Sequence, residues 1–209
     1  MFPDLFRDDV FTLETARLFL RWPKAKDVAL LIAEAGDRRV AEPHAVIPHP
    51  YLQEDAIRFV SEARSQNMEG KGVYLAITPR KDQERLFGVA SLRLRSTGEV
   101  SLGYWLGVQH WGKGYATEAA QAVLDAAFLY SDVKAIIAGV RVMNDRSRAV
   151  LERCGFQYAG SGMSERPAWG DRVSADHYRL SRGTWASLKG WRAPLPTESR
   201  NFARGPERD

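Results

Sequence analysis

Three adjacent residues set the first chemistry to look for. Gly112, Lys113 and Gly114 stand where the alternating text SLGYWLGV runs through QHWGKG into the alanine-rich stretch YATEAAQAVLDAAFLY. A strand empties through two glycines into a helix. No Ser, Thr, Asp or Asn caps that helix, which leaves the backbone N–H groups of Gly112, Lys113, Gly114 and Tyr115 available to a group outside the chain. Helix N-termini carry a positive dipole end, glycines let a phosphate approach the backbone, and Lys113 adds charge, so the natural guest is an anion. A tight turn with glycine as its own N-cap accounts for the spacing equally well. The second candidate is Ser147, on a helix predicted over Asp145 to Cys154 with Asn144 as its cap and Gly155 as its stop. Ser147 shares a face with Val150, Leu151 and Cys154, so its hydroxyl lies along an apolar stripe and needs a partner. A carbonyl of its own helix and a reacting group are both open to it.

These stretches also carry a resemblance. Gln109-His110-Trp111-Gly112-Lys113-Gly114 resembles the Q/R-x-x-G-x-G/A acetyl-CoA signature of the GNAT acetyltransferases. WGKGYATEA resembles its wording in the RimJ/RimL-like branch, which acetylates ribosomal-protein N-termini. LETARLFLRWPKAKDVALL is similar to the family's first strand and helix, Asn144 to Phe156 to its second cofactor motif, and DHYRLSR to its last strand, a likeness over residues 11–185. It implies an α/β GNAT-like single domain whose mixed, mostly antiparallel sheet of about seven strands splays at the cofactor site, with helices on both faces. It also implies acetyl-CoA as co-substrate, no metal, and a primary amine as acceptor, with a peptide N-terminus favoured by the branch and aminoglycosides, polyamines and free amino acids left open. The motif positions that would hold the cofactor are Leu106, Val108, Gln109, Gly112, Lys113, Gly114, Tyr115, Ala116 and Asn144.

Acyl transfer to an amine needs a base and an acid. An ammonium of pKa roughly 8 at a chain terminus, or above about 10 on lysine, must lose a proton, and a thiolate of pKa near 8.5 should gain one. The carbonyl oxygen becomes negative between these events, and one backbone N–H near Leu106 or Val108 would stabilise it by perhaps ~3 kcal/mol. Many relatives carry a tyrosine as the acid one turn after the Ser147 position, where this chain has Leu151. The ribosomal-protein branch is similar in placing a serine where Ser147 stands and a glutamate where Glu165 stands, which makes Ser147 the implied acid and Glu165 the implied base. Glu99, at the head of the central strand, is the reserve base.

Positioning these groups takes a series of elements. Strands are expected at Arg17 to Trp22, Val73 to Thr78, Leu86 to Leu94 and Val100 to Val108, so that four precede the glycine loop, and a further strand at Lys134 to Val140. Asp27 can cap a helix carrying Val28, Leu31, Ile32 and Ala35, and Gln53 to Asn67 resumes a helical pattern. Between them EPHAVIPHPY, with three prolines, reads as a loop bearing His44 and His49; no cysteine or carboxylate stands at ligand spacing beside them, so they are expected to be solvent-exposed. On the central strand Leu102, Tyr104 and Leu106 share one face, and the small residues Ser101, Gly103 and Gly107 the other with Trp105. Interior glycines suggest a bulge or the close approach of a ligand. The helix Gly114 to Tyr130 would present Ala116, Ala120, Val123, Ala127 and Tyr130 to the sheet. Tyr158 to Met163 and Val173 to Ser181 form a final hairpin, and residues 186–209 read as a flexible tail, tied at Trp185 and Trp191.

Composition bounds the alternatives. The 209 residues suit one domain, with formal net charge +4 and a single cysteine. No basic run is dense enough for nucleic-acid binding, no apolar stretch is long enough to span a membrane, and one cysteine with an acidic N-terminal stretch points to the cytoplasm. A homodimer is left open. Gly107-x4-Gly112-Lys113 falls one residue short of a phosphate-binding P-loop, because Gly114 supplies no hydroxyl for magnesium. A non-catalytic acyl-CoA-binding module is the other rival, since the cofactor loop is better marked than either catalytic group. Cys154 as a nucleophile is weaker, lying on an apolar face with no histidine near in sequence.

Overall fold

The structure is a computed structural model that describes residues 11–192. Eight strands form one sheet in the order β1-β2-β3-β4-β5-β6-β8-β7. β1 (Leu13–Glu14), β2 (Leu18–Arg21), β3 (Gly72–Pro79), β4 (Gly88–Leu94) and β5 (Val100–Leu106) run antiparallel in turn. β6 (Ala135–Arg141) lies parallel to β5, and β8 (Asp171–Ser181) separates β6 from β7 (Gln157–Arg166). Five strands rather than four precede the glycine loop. The extra one, β1, pairs only Leu13 with Leu20 and Glu14 with Phe19, too short a run for alternation to reveal.

The helices are α1 (Val28–Ala35), α2 (Arg38–Ala41), α3 (Gln53–Met68), α4 (Tyr115–Tyr130), α5 (Asp145–Arg153) and α6 (Arg182–Arg192). α4 lies over the larger core, where its Ala119, Ala120, Val123, Leu124 and Phe128 meet the even-numbered face of β5 and the matching faces of β2 to β4. The stripe differs from the expected one at its end, since Tyr130 is exposed and Phe128 is buried. On the other face α1 and α3 close a smaller core through Leu31, Ala56 and Val60 against Ala76, Leu86 and Val89.

One expectation is corrected. Asp27 does not cap α1; its carboxylate is buried in a two-pronged pair with Arg21 at 2.8 Å and accepts the Lys24 N–H at 2.7 Å. A buried carboxylate is stable only when paired, and Arg21 at the end of β2 outcompetes the helix end. α6 continues past Trp185 to Arg192. Trp185 ties the helix down by stacking on Phe128 at 5.1 Å and donating to Asp125 at 2.8 Å. The side chain of Trp191 and residues 193–209 lie outside the described residues.

Candidate active site

The site begins where β5 leaves β6. β5 pairs with β4 along its whole length, from Val100 opposite Leu94 to Leu106 opposite Gly88. With β6 it pairs only through Val100 and Ser101. Gly107 donates its N–H to Phe87 at 2.9 Å, which fixes the parity: Gly103 and Trp105 turn their amides toward β4, and Tyr104 and Leu106 turn theirs toward the gap. The carbonyl of Leu106 accepts the indole N–H of Trp111 at 2.7 Å, while its N–H has no ladder partner. An unpaired strand edge inside a sheet is a template for an extended, amide-bearing guest.

Past β5 the chain makes a 3-10 turn over Val108–His110, so Val108 does not continue the strand. Gln109 spends its side chain on α1, donating to Glu34 at 2.8 Å. The same carboxylate lies against Gly107, where an added Cβ would come within 1.6 Å of Glu34 Oε2, so a side chain here would have to displace Glu34 from Gln109. His110 is buried and stacked on Phe87 at 4.5 Å; burial pushes its pKa down, opposed by Glu34.

Gly112 and Gly114 follow with φ of 74° and 79°, left-handed values that glycine alone adopts readily. No side chain caps α4 at Gly114. Its first turn, containing Tyr115 and Ala116, therefore offers N–H groups outward, with exposed Lys113 beside them. Arg17 braces the loop: it donates to the Lys113 carbonyl at 2.8 Å, lies over the Tyr115 ring at 4.7 Å and pairs with Glu118.

α5 brings in Ser147. Asn144 caps the helix by accepting the Ser147 N–H at 3.1 Å. The Ser147 hydroxyl does not bond back along its own helix; it shares a hydrogen bond of 2.8 Å with the hydroxyl of Tyr104. Tyr104 also contacts the Ser147 carbonyl at 3.1 Å, and burial holds its pKa well above the ordinary phenol value, with Ser147 pulling the other way. Two hydroxyls, one from the parted strand and one from α5, are thus hydrogen-bonded beside the gap.

The carboxylates are less convergent. Glu165 is exposed and pairs with Arg172 across the hairpin at 2.9 Å. Register places it on the sheet face of Asp176, which pairs with Arg148 of α5, so it shares the α5 side without contacting Ser147. Glu99 is exposed at the far end of β5, five strand steps or ~17 Å from Tyr104.

Two distant segments close the opposite face. His44 is not a solvent-exposed histidine: it is half-buried, with Nδ1 at 2.6 Å from the Val40 carbonyl and Nε2 at 3.0 Å from that of Tyr104. Burial pushes its pKa down, and the two carbonyls oppose this. His49 is exposed. From the β7–β8 turn, Arg166 donates to the Glu42 carbonyl at 2.7 Å and Trp169 to that of Ile47 at 3.0 Å. Sequence reasoning missed Glu34, His44 and Arg166 in these roles because each acts through a contact far along the chain, and Trp111 because periodicity does not show its indole turning back to the Leu106 carbonyl. The alternation on β5, which puts Tyr104 on one face with Leu102 and Leu106, is the signal that could have found it.

A mixed sheet that parts beside an uncapped, glycine-lined helix start defines an acyltransferase fold of the α/β class. The chain belongs to the GNAT family: the acetyltransferase (GNAT) domain matches residues 17–157. It is 29% identical over 179 residues to the uncharacterized N-acetyltransferase p20 of Bacillus licheniformis, covering 84% of this chain and 98% of that one. Among solved structures it is similar to the microcin C7 self-immunity acetyltransferase MccE in complex with acetyl-CoA and AMP, with TM-score 0.68 and 22% identity, covering 80% and 93% of the two chains. It is also similar to the Salmonella typhimurium acetyl transferase that modifies the N-terminal serine of ribosomal protein L7/L12, with TM-score 0.68 and 20% identity over 80% and 96%. Among the described residues no helix is long and apolar enough to cross a membrane.

Proposed function

We propose that this protein moves the acetyl group of acetyl-CoA directly to a primary amine, the amino terminus of a protein or peptide being the favoured acceptor. The observation that carries the reading is the Tyr104–Ser147 hydroxyl pair standing at the gap into which the Leu106 N–H is turned. The free N–H groups at the start of α4, with Gly112, Lys113, Gly114, Tyr115 and Ala116, suit the cofactor's phosphates. An arm with amide groups running from there along β5 brings a thioester carbonyl to Leu106 N–H, with Asn144 holding α5 alongside.

The amine attacks the thioester carbon, the oxyanion is held by Leu106 N–H, and the C–S bond breaks as the thiolate takes the Ser147 hydroxyl proton, which water restores to the hydroxyl pair while Tyr104 holds the Ser147 hydroxyl in place. Burial keeps the Tyr104 hydroxyl protonated at neutral pH, as a donor must be. The ammonium's proton leaves through water toward Glu165, whose position on the α5 side supports that role over Glu99. The amino-terminal acceptor rests on the family branch and on the Salmonella relative's serine substrate.

The test is a panel of serine- and methionine-initiated peptides, polyamines and aminoglycosides, assayed for released CoA thiol and for acetylated product. Peptide acetylation at the α-amine is expected. Release with a small-molecule amine alone would move the acceptor class. Acetyl-CoA binding without transfer to any amine would make the protein a non-catalytic acyl-CoA-binding module.

A further inference from the structure

An arginine without a partner points to the acceptor's charge, an inference that rests on the acetyl-transfer reading above. Among the described residues, the other buried or half-buried arginines all have partners. Arg21 takes Asp27, Arg148 takes Asp176, Arg166 takes Asp171, and Arg64, Arg141 and Arg182 donate to backbone carbonyls. Arg93 differs. It is half-buried on β4 and, although Arg148 and Arg166 share its enclosed and unmatched Nε, it alone among them forms no side-chain hydrogen bond or ion pair with a described residue. A half-buried guanidinium with no counter-charge among the described residues is open to an anion at its exposed end.

Its position says where that anion would lie. Alternation puts Arg93 on the face of Val89 and Ser91, the side closed by α1, α3 and the His44 loop. It stands opposite Ser101, the last residue of β5 paired with β6. Its charge reaches His44 and Tyr74. Along that face toward the gap come only Ser91, Ser101 and Gly103, with nothing larger than a hydroxyl, before Trp105. Only small side chains therefore stand on this face between the strand separation and the unspent cation.

We propose that Arg93 recognises an anionic group on the acceptor, and that the acceptor is an amine carrying a carboxylate or phosphate set back from the reacting nitrogen. Ser101 lies five strand steps, or ~17 Å, from Leu106. Less the length of the arginine side chain, that is the span of about three or four residues of extended peptide. An acceptor acidic near its third residue fits.

The experiment uses serine-initiated tetrapeptide amides differing only at the third residue: alanine, glutamate or phosphoserine. Wild type should favour an anionic peptide over the alanine peptide by about 10-fold or more in kcat/KM, chiefly through KM. Arg93→Met should erase the preference, with acetyl-CoA affinity and the alanine-peptide rate unchanged, and Arg93→Lys should restore part of it. A gain with glutamate alone or phosphoserine alone identifies the group. Equal use of all three peptides by wild type, or a preference that survives in Arg93→Met, overturns the proposal. Arg93→Gln serves if the methionine variant melts early. A second arm needs no turnover: calorimetric titration of CoA-saturated protein with inorganic phosphate, where binding by wild type and none by Arg93→Met is expected. Equal heats in both overturn the proposal; failure to bind CoA at all sinks the acetyl-transfer reading instead, and the difference between the two proteins still reports on Arg93.

Discussion

The two sides of β5 are built on different principles. The side facing the glycine loop is made of backbone: left-handed glycines, an uncapped helix start and an amide edge, contributed by one run of chain from Leu106 to Ala116. The opposite side is made of side chains drawn from far apart, with His44 reaching Tyr104, and Arg166 and Trp169 reaching the 42–47 loop. A backbone site is insensitive to most local substitutions but intolerant of any group that fills its space. A side-chain site can be retuned one contact at a time. This is the division expected of a protein that keeps one cofactor and fits its own acceptor.

The sharpest way to break that contrast is to fill the backbone site. Gly114→Asp forces a left-handed position onto a side chain and puts a carboxylate where phosphate should lie, 3.3 Å from Arg17 by the reach of its Cβ alone. Acetyl-CoA affinity, measured by calorimetry on protein that still melts cooperatively, should fall by more than about 100-fold. Affinity within a few-fold of wild type would show that the phosphates bind elsewhere.

The next effect lies on the boundary between the two sides. Ser147→Ala and Tyr104→Phe should each lower the transfer rate at saturating cofactor by about 10²-fold, with acetyl-CoA affinity retained. Because the hydroxyls act as one pair, the double variant should be little worse than either single. Losses that multiply would mean that the two hydroxyls act separately. An unchanged rate in Ser147→Ala would make its bond to Tyr104 structural.

Smaller still is the effect of loosening the acceptor side. Trp169→Phe removes the indole N–H that holds Ile47 while keeping an aromatic ring, so it should raise the acceptor KM by about 10-fold and leave acetyl-CoA binding alone. A matching loss of cofactor affinity would show that the two sides are not independent.

How much of this could be read in the sequence follows the same division. Gly112 and Gly114 announce themselves because backbone geometry is a local property, and Asn144 and Gly155 bracket α5 for the same reason. Ser147 is visible as a hydroxyl on an apolar stripe, but its partner is 43 positions away and no periodicity names it. His44 looks like an exposed loop residue because the carbonyl it meets lies 60 positions ahead. Asp27 shows the converse failure: the rule for helix starts was sound locally and lost to a buried arginine. Long-range pairing decides such cases, and a single sequence carries little of it.

The smallest expected effect separates the two sides by pH. Each holds a histidine whose pKa burial pushes below the ordinary ~6.5: His110 under the glycine loop, beside Glu34, and His44 under the 42–47 loop. In both, the unfolded chain binds more protons than the folded one just below that value, so stability rises with pH across the window and falls on acidification. Wild type should therefore melt at a lower temperature at pH 5.5 than at pH 7.5. The glutamine variants divide the effect. His110→Gln should flatten part of the slope with the acceptor KM unchanged, whereas His44→Gln should flatten another part and raise KM, because Tyr104's carbonyl loses the group that docks the loop. A slope that is the same in wild type and in the double variant would mean that neither histidine stays neutral in the folded protein, and that the two carbonyls around His44 hold it as an imidazolium after all.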